Sequence, residues 1–231
     1  MLTISVSAQS WWNRKKVRGN GKMKTEVRTT SDYESVSVGG NFDVKLVPGK
    51  EGKITLEGEE NLMKYVVTEV KNGKLTVKVK KNTNVRITKK FIITVPYKDI
   101  NKVSLAGSGD LSNTGTIKAE DFTVSLAGSG DVNINVNATD IKTKIAGSGN
   151  IDLTGKSSSL SCSIAGSGDI NAYGLTTKST SVTVSGSGNV KTTVSESIKA
   201  RVAGSGNIYY KGKPEKVDSK SAGSGSIISK N

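Results

Sequence analysis

The chain has 231 residues, of which 34% are hydrophobic, so it is long enough to form a sizeable core without disulfide bonds. It contains no histidine and a single cysteine, which excludes Ser–His and Cys–His catalysis, imidazole-ligated zinc and cysteine-rich metal sites. The formal net charge is +14, and residues 1–103 carry 21 of the 34 basic residues, so the basic excess belongs to the first half.

The apolar residues favour strands. The sequence holds 24 Val and 17 Ile against 11 Leu, and β-branched side chains fit a pleated sheet better than a helix. Its 26 Gly occur with only three Pro, which indicates glycines at turns. The composition therefore predicts an all-β protein.

The N-terminus has features of an exported protein. Residues 1–8 end in Val6-Ser7-Ala8, the small-residue pattern found before a signal-peptide cleavage point, and we interpret them as the remnant of a secretory signal peptide. Residues 9–30 form an N-terminal extension. No stretch reaches the roughly 18 apolar residues of a transmembrane segment. We expect an exported protein located in the periplasm, at the outer-membrane surface or outside the cell.

Residues 31–104 predict an irregular β part. Asn72-Gly73 lies between two alternating apolar runs, which is the signal of a two-residue hairpin. Residues 60–65 predict one helical turn. Gly39-Gly40-Asn41 resembles the turns of the second half, so we expect an irregular coil of the same architecture here, capping its first regular coil.

The second half, residues 105–231, is a repeat array. GSG occurs seven times, at intervals of 21, 19, 19, 20, 18 and 19 residues. Apolar residues alternate on the approach to each GSG, as at Leu160, Cys162 and Ile164. This period of two predicts strands on both sides of a sharp turn and places Cys162 in the core.

We interpret GSG and the Asp or Asn after it as a structural turn, because glycine adopts positive φ and Asp or Asn bonds the turn backbone. The small residue before each GSG, such as Ala146, predicts close packing at that position. The turn residues are Gly107, Gly109, Asp110, Gly128, Gly130, Asp131, Gly147, Gly149, Asn150, Gly166, Gly168, Asp169, Gly186, Gly188, Asn189, Gly204, Gly206, Asn207, Gly223 and Gly225.

A repeat of about 19 residues with two or three short strands describes one coil of a parallel β-solenoid, in which neighbouring coils pair at about 4.8 Å. Residues 31–231 then form one continuous domain. The sequence ends six residues after Gly225, and we expect self-association or a partner to cover the last coil.

The runs SVSVGGNFDVKLVPG, GEENLMKYV, KNGKLTVKV and FIITVPYKDINKVSLAGSGDL, followed by serial AGSGD and AGSGN, resemble the auto-transporter adhesin head GIN domain family of exported Gram-negative proteins. The resemblance implies a right-handed parallel β-helix, related in shape to pectin-lyase folds without their catalytic residues, and a role in adhesion. It carries over no functional residues.

The leading hypothesis is a non-enzymatic binding or adhesion scaffold that has no cofactor and no metal, and whose partner is a glycan or a cell-surface protein. A polysaccharide lyase or hydrolase is an alternative, and it would have to use acids such as Asp110 and Asp131. A calcium roll is disfavoured because its repeat is nine residues. A second alternative is binding of anionic polymers through the basic first half, without sequence-specific nucleic-acid recognition.

Overall fold

The computed structural model describes residues 15–230, so the signal-peptide interpretation and the beginning of the N-terminal extension lie outside the described residues. Nineteen strands and one short helix fill this range. They are β1 Lys15–Arg18, β2 Met23–Thr29, β3 Ser35–Gly40, β4 Asp43–Pro48, β5 Lys53–Glu59, α1 Glu60–Met63, β6 Val66–Lys71, β7 Lys74–Val79, β8 Thr83–Arg86, β9 Ile92–Tyr97, β10 Lys102–Gly107, β11 Leu111–Asn113, β12 Ile117–Gly128, β13 Asp131–Gly147, β14 Asn150–Gly166, β15 Ile170–Gly186, β16 Val190–Gly204, β17 Ile208–Lys211, β18 Lys216–Ala222 and β19 Ile227–Ser229.

Long parallel strands stack in register and form the solenoid. β12 pairs with β13, β13 with β14, β14 with β15 and β15 with β16, and all four pairings are parallel. Each first glycine of a GSG lies beside the first glycine of the next, as Gly128 does beside Gly147. The predicted all-β solenoid with coils of about 19 residues is thereby confirmed.

The core is a set of aliphatic columns between the two sides of each coil. Leu126, Ile145 and Ile164 belong to one column, and each is at most 2% exposed. Cys162 is buried beside this column as predicted, and burial raises the pKa of its thiol to about 12. The close packing expected around Ala146 is wrong, because this side chain and the equivalent ones point outward and are exposed.

Two constraints act at the corner glycines. Gly147 has a φ of 138°, which side chains with a Cβ rarely adopt, and an added Cβ would overlap the carbonyl oxygen of Gly128 in the preceding coil. Gly149 shows no positive φ, yet a Cβ there would overlap the carbonyl oxygen of Gly130. The second glycine is therefore required by the closeness of the next coil, which the sequence argument from φ did not anticipate.

The irregular first half continues the same stack. β3 pairs in parallel with β10 and β4 with β11, which brings Gly40 beside Gly107. The coil predicted around Gly39-Gly40-Asn41 is thus confirmed. A second irregular coil, β7 with β9, lies on the far side of it, because β7 pairs with β3 and β9 with β4. The coils of the first half do not follow chain order, and the boundary drawn between residues 104 and 105 stays a prediction.

Antiparallel strands close the N-terminal end. β5 pairs with β9 and with β2, and β6 pairs with β7. The hairpin predicted at Asn72-Gly73 joins β6 to β7, with φ values of 49° and 68°. These are the two positive φ values that a tight hairpin turn requires. The predicted helical turn is α1.

The carboxylate of Glu59, which is fully buried, joins two loops of this cap. It accepts hydrogen bonds from the Gly21 N–H at 2.7 Å, the Thr88 hydroxyl at 2.6 Å, the Thr88 N–H at 2.8 Å and the Lys89 N–H at 3.3 Å. Burial opposes its charge, but these hydrogen bonds, led by the Thr88 hydroxyl, lower the pKa to about 2. Glu59 thereby fixes the loop before β2 against the loop before β9.

The C-terminal coil has a polar interior. In β18, Ser219 and Ser221 occupy the inward positions that Ala200 and Val202 hold in β16. Every residue of β18 is exposed, and Lys216 and Lys220 are charged residues on its edge. Self-association at this coil stays a prediction.

The stacked corners predict a position-dependent effect of one substitution. Gly149→Val should lower the melting temperature strongly, since it forces apart two central coils that are coupled to their neighbours. Gly225→Val meets the same obstacle at the terminal coil, which can fray, so its effect should be mild. Thermal denaturation followed by circular dichroism measures both. Equal losses at the two positions would contradict the stacked arrangement.

The environment of Glu59 predicts a pH-dependent stability. Because its folded pKa lies below the ordinary value of 4.5, its contribution is present above that pH and is lost as the pH falls towards 2. Glu59→Gln keeps one acceptor oxygen and replaces the other by an NH₂ group. It should cost about 1–3 kcal/mol at pH 7, because the Thr88 and Lys89 N–H groups that bond one carboxylate oxygen then lack an acceptor. Urea unfolding at pH 7, 5 and 3 should show a smaller difference from wild type at pH 3. Glu57→Gln, an exposed position on the same strand, is the matched control.

Candidate functional site

Two of the outward faces of the solenoid flank the corners and are built from columns of equivalent side chains. The strand segments after each corner present an asparagine face, and the segments before each corner present a serine–lysine face. A groove of about 340 Å³ lies on the asparagine face. Its polar lining is Asp131, Asn133, Asn150, Asp152, Asp169, Asn171, Asn189 and Lys191. Outward residues of the serine–lysine face include Lys142, Lys144, Ser161, Ser163, Ser181, Lys199 and Arg201.

The corner column bonds the backbone of the next coil. In every step the side-chain Oδ1 accepts the backbone N–H of the following member, for example Asn189 N–H to Asp169 at 2.7 Å and Asn207 N–H to Asn189 at 3.0 Å. The same bond links Asp110, Asp131, Asn150, Asp169, Asn189, Asn207 and Ser226 in order. Asn side chains also donate to the preceding Asp, as Asn189 Nδ2 does to Asp169 at 3.0 Å. These bonds support the proposed turn role of the column.

The two acids of the enzyme hypothesis belong to this column. Asp110 accepts the Asp131 N–H at 3.3 Å, and Asp131 accepts both the N–H and the Nδ2 of Asn150 at 3.2 and 2.9 Å. Both acids thus act as acceptors for the stack. Within residues 15–230, no group of three or more Asp, Glu or Cys residues is placed to hold a metal ion.

The second column of the asparagine face also consists of outward polar side chains. Asn133, Asp152 and Asn171 project outward from three successive coils. Asn171 Nδ2 donates to Asp152 at 2.7 Å, so the amide and carboxylate are held in one orientation. The structure thus places a row of outward hydrogen-bonding groups beside a corner column whose Oδ1 atoms already accept backbone N–H groups.

A β-bulge interrupts this face at Tyr173. In the pairing with β14, two residues of β15, Ala172 and Tyr173, lie opposite Leu153 alone. In the pairing with β16 the register jumps from Ala172 to Thr176, which leaves Tyr173 unpaired on that side. The Tyr173 carbonyl accepts the Thr193 hydroxyl at 2.9 Å, and this bond holds the bulge against the next coil. Bulges of this kind redirect side chains at the surface.

A cluster of tyrosines and lysines surrounds the bulge, which we call the tyrosine–lysine cluster: Lys191, Tyr173, Tyr209, Lys211 and Lys230. The Lys211 ammonium lies 4.5 Å from the centre of the Tyr173 ring, and the Lys230 ammonium lies 5.5 Å from that of Tyr209. Burial, followed by the negative charge of a deprotonated Tyr209, raises the pKa of Tyr173. Tyr173 and Tyr209 are both half-buried.

The sequence argument missed this cluster. Tyr210, the neighbour of Tyr209 in the chain, is partly buried and packs against the core. The signal for Tyr173 was the 20-residue GSG interval followed by the 18-residue one, since an extra residue in one coil must leave the pairing register. Nothing in the local sequence indicates that Lys211 reaches Tyr173.

The basic residues of the first half are spread over the cap. Lys24 and Lys53 are exposed on β2 and β5, and Lys71 and Lys74 are exposed as cross-strand partners on β6 and β7. Arg28 instead donates to the carbonyl oxygens of two cap residues at 2.6 and 2.8 Å and pairs with a glutamate at 2.7 Å. Across residues 15–230, no helix is long and apolar enough to span a membrane.

The corner column predicts different effects for two substitutions of Asp169. Asp169→Asn keeps the Oδ1 acceptor for Asn189 and should change stability little. Asp169→Ala removes the acceptor of both the N–H and the Nδ2 of Asn189 and should cost about 1–3 kcal/mol, the usual net value of two hydrogen bonds. Urea denaturation compares them. If Asn and Ala are equally destabilising, the charge and not the turn bond explains the column.

The comparisons with known proteins agree with this architecture. A "putative adhesin" from Bacteroides fragilis has a TM-score of 0.88 at 23% identity, over 93% of this chain and 100% of that one. A "putative lipid binding protein" from Parabacteroides distasonis has a TM-score of 0.79 at 27% identity, over 94% and 100%. A "putative adhesin" from Parabacteroides merdae has a TM-score of 0.79 at 25% identity, with the same coverage.

No curated protein matches the chain. A family model matches residues 32–214, and its description is "Putative auto-transporter adhesin, head GIN domain". The match covers the irregular coils and most of the regular ones, which agrees with the runs that carried the resemblance. The chain belongs to this head GIN domain family.

Proposed function

We propose that the protein is a non-enzymatic adhesion scaffold that acts outside the cytoplasm and binds a glycan along its asparagine face. The observation that carries this proposal is the row of outward amide and carboxylate groups at Asn133, Asp152 and Asn171, beside a corner column that already bonds the backbone. Family membership supports export and adhesion.

The spacing of the row suits an extended, hydroxylated ligand. Equivalent groups on successive coils repeat at about 4.8 Å along the solenoid. Amides both donate and accept hydrogen bonds and carboxylates accept them, so together they match the alternating donors and acceptors of sugar hydroxyls. A shallow, open groove also accommodates a chain longer than one sugar, as an adhesin requires.

The acids of the corner column have a structural role and are not arranged for glycosidic cleavage. Glycosidic cleavage needs one acid with a raised pKa beside a second carboxylate. Asp110 and Asp131 each accept a backbone N–H of the next coil, so both serve as acceptors in the stack. The groups that remain exposed on the face suit binding rather than proton transfer.

A glycan panel tests the proposal. Immobilised neutral and acidic oligosaccharides are offered to the full chain, and binding is measured by biolayer interferometry. The variant Asn133→Ala/Asn171→Ala should lose at least about tenfold in affinity, which corresponds to 1.4 kcal/mol. Ser163→Ala/Ser181→Ala, exposed positions on the serine–lysine face, should bind as wild type.

Thermal melting of all three proteins checks that they are folded. A folded wild-type chain that binds none of the glycans would contradict the proposal, as would equal losses in the two double variants. An affinity loss confined to the serine–lysine variant would place the binding surface on the other face.

A further inference from the structure

We propose that the tyrosine–lysine cluster is a binding site for an acidic saccharide, with Tyr173 and Tyr209 contacting the sugar ring and Lys191 and Lys211 binding its carboxylate. The inference rests on the proposed function, since it names the ligand class for the C-terminal end of the asparagine face. It concerns a separate set of residues, however, and can fail without it.

The cluster continues an outward column of the asparagine face. Asn171, Lys191, Tyr209 and Ile228 occupy one outward column on four successive coils. The column of outward amide and carboxylate groups therefore runs directly into the cluster. Asn171 connects the two parts, because it donates to Asp152 at 2.7 Å and accepts the Tyr173 N–H at 3.4 Å. One ligand chain can contact both.

The lysines of the cluster are not neutralised by ion pairs among the described residues. Within residues 15–230, no carboxylate forms an ion pair with Lys191, Lys211 or Lys230. Cations elsewhere on these coils do find acids: Lys178 lies 3.9 Å from Glu196, and Arg201 pairs with Asp218. Lys191 lines the groove together with Asp131, Asp152 and Asp169, whereas Lys211 and Lys230 are not part of that lining. The positive field that favours an anionic group therefore belongs to the C-terminal end of the face.

The tyrosine rings of the cluster suit the uncharged part of a saccharide. Sugar rings present C–H groups as well as hydroxyls, and half-buried tyrosines offer an apolar ring together with a polar hydroxyl. The cation–π contacts at 4.5 and 5.5 Å keep the ammonium groups beside these rings. A ligand that combines a ring with an acid therefore meets both features at once.

A lipid surface fits the cluster less well. The most exposed large apolar side chains of the described residues are Met23 and Val27 on β2 and Val217 on β18, and none of them belongs to the cluster. Membrane binding by a surface patch normally combines basic residues with inserted apolar ones. The cluster has the basic residues, but its aromatic side chains are half-buried tyrosines and not exposed apolar groups that could insert.

A pair of matched ligands tests the inference. Oligogalacturonate and its methyl ester have the same sugar rings and differ in the carboxylate charge. Isothermal titration calorimetry should show that the full chain binds the acid form at least about tenfold more tightly. Lys191→Gln/Lys211→Gln should remove this preference, whereas Lys142→Gln/Lys144→Gln on the serine–lysine face should keep it. Tyr173→Ala/Tyr209→Ala should weaken both ligands.

The outcomes separate the two proposals. Equal affinity for the two ligands, no binding of either, or a preference that survives Lys191→Gln/Lys211→Gln would overturn the inference. Neutral glycans bound through Asn133 and Asn171 would leave the proposed function standing in each of these cases. Binding to anionic phosphatidylglycerol vesicles that oligogalacturonate does not displace would also overturn it, in favour of a membrane ligand. The lysine variants keep the test decisive if the tyrosine variant fails to fold.

Discussion

The close approach of successive coils is the constraint on which the structure depends. Hydrogen-bonded parallel strands lie about 4.8 Å apart, so each residue is forced beside its equivalent in the next coil. At the corner this leaves no room for a Cβ between Gly149 and the carbonyl oxygen of Gly130. The backbone oxygen of Gly128 accepts the N–H groups of both Ser148 and Gly149, at 2.9 and 3.0 Å. The corner glycines, the sharp turn and the close pairing of the coils therefore depend on one another.

The same stacking divides the polar side chains into two classes. Those beside the corner lie within reach of the next backbone N–H, and Asp169 is typical in accepting both the N–H and the Nδ2 of Asn189. Those two residues further along, such as Asn171, project away from the backbone of the next coil. The role of a polar side chain in this fold therefore depends on its position along the coil and not on residue type, because Asp and Asn occur in both classes. Asn113 and Asn137, further from the corner, again accept a backbone N–H of the next coil.

The sequence predicted what repeats and missed what does not. The regular GSG interval was sufficient to derive the parallel coils, and the alternation before each GSG gave the inward position of Cys162. The placement of β7 and β9 outside the β3–β4 coil was not predictable, because it depends on pairing between segments far apart in the chain. The tyrosine–lysine cluster was missed for a related reason, since Tyr173 and Lys211 belong to different coils.

A perfectly regular solenoid would offer the same surface at every coil and could not fix a ligand at one position along its length. Here the coil that contains Tyr173 is one residue longer than its predecessor, and the following coil is two residues shorter. The unpaired backbone has to leave the sheet, and it carries Tyr173 outward to a place where Lys211, two coils further on, can cover its ring. The bulge interrupts ladder hydrogen bonds in the middle of the stack, and a structural role does not explain why it coincides with the asparagine face. The proposed saccharide would account for this coincidence, because a ligand held in one register needs one coil that differs from the others.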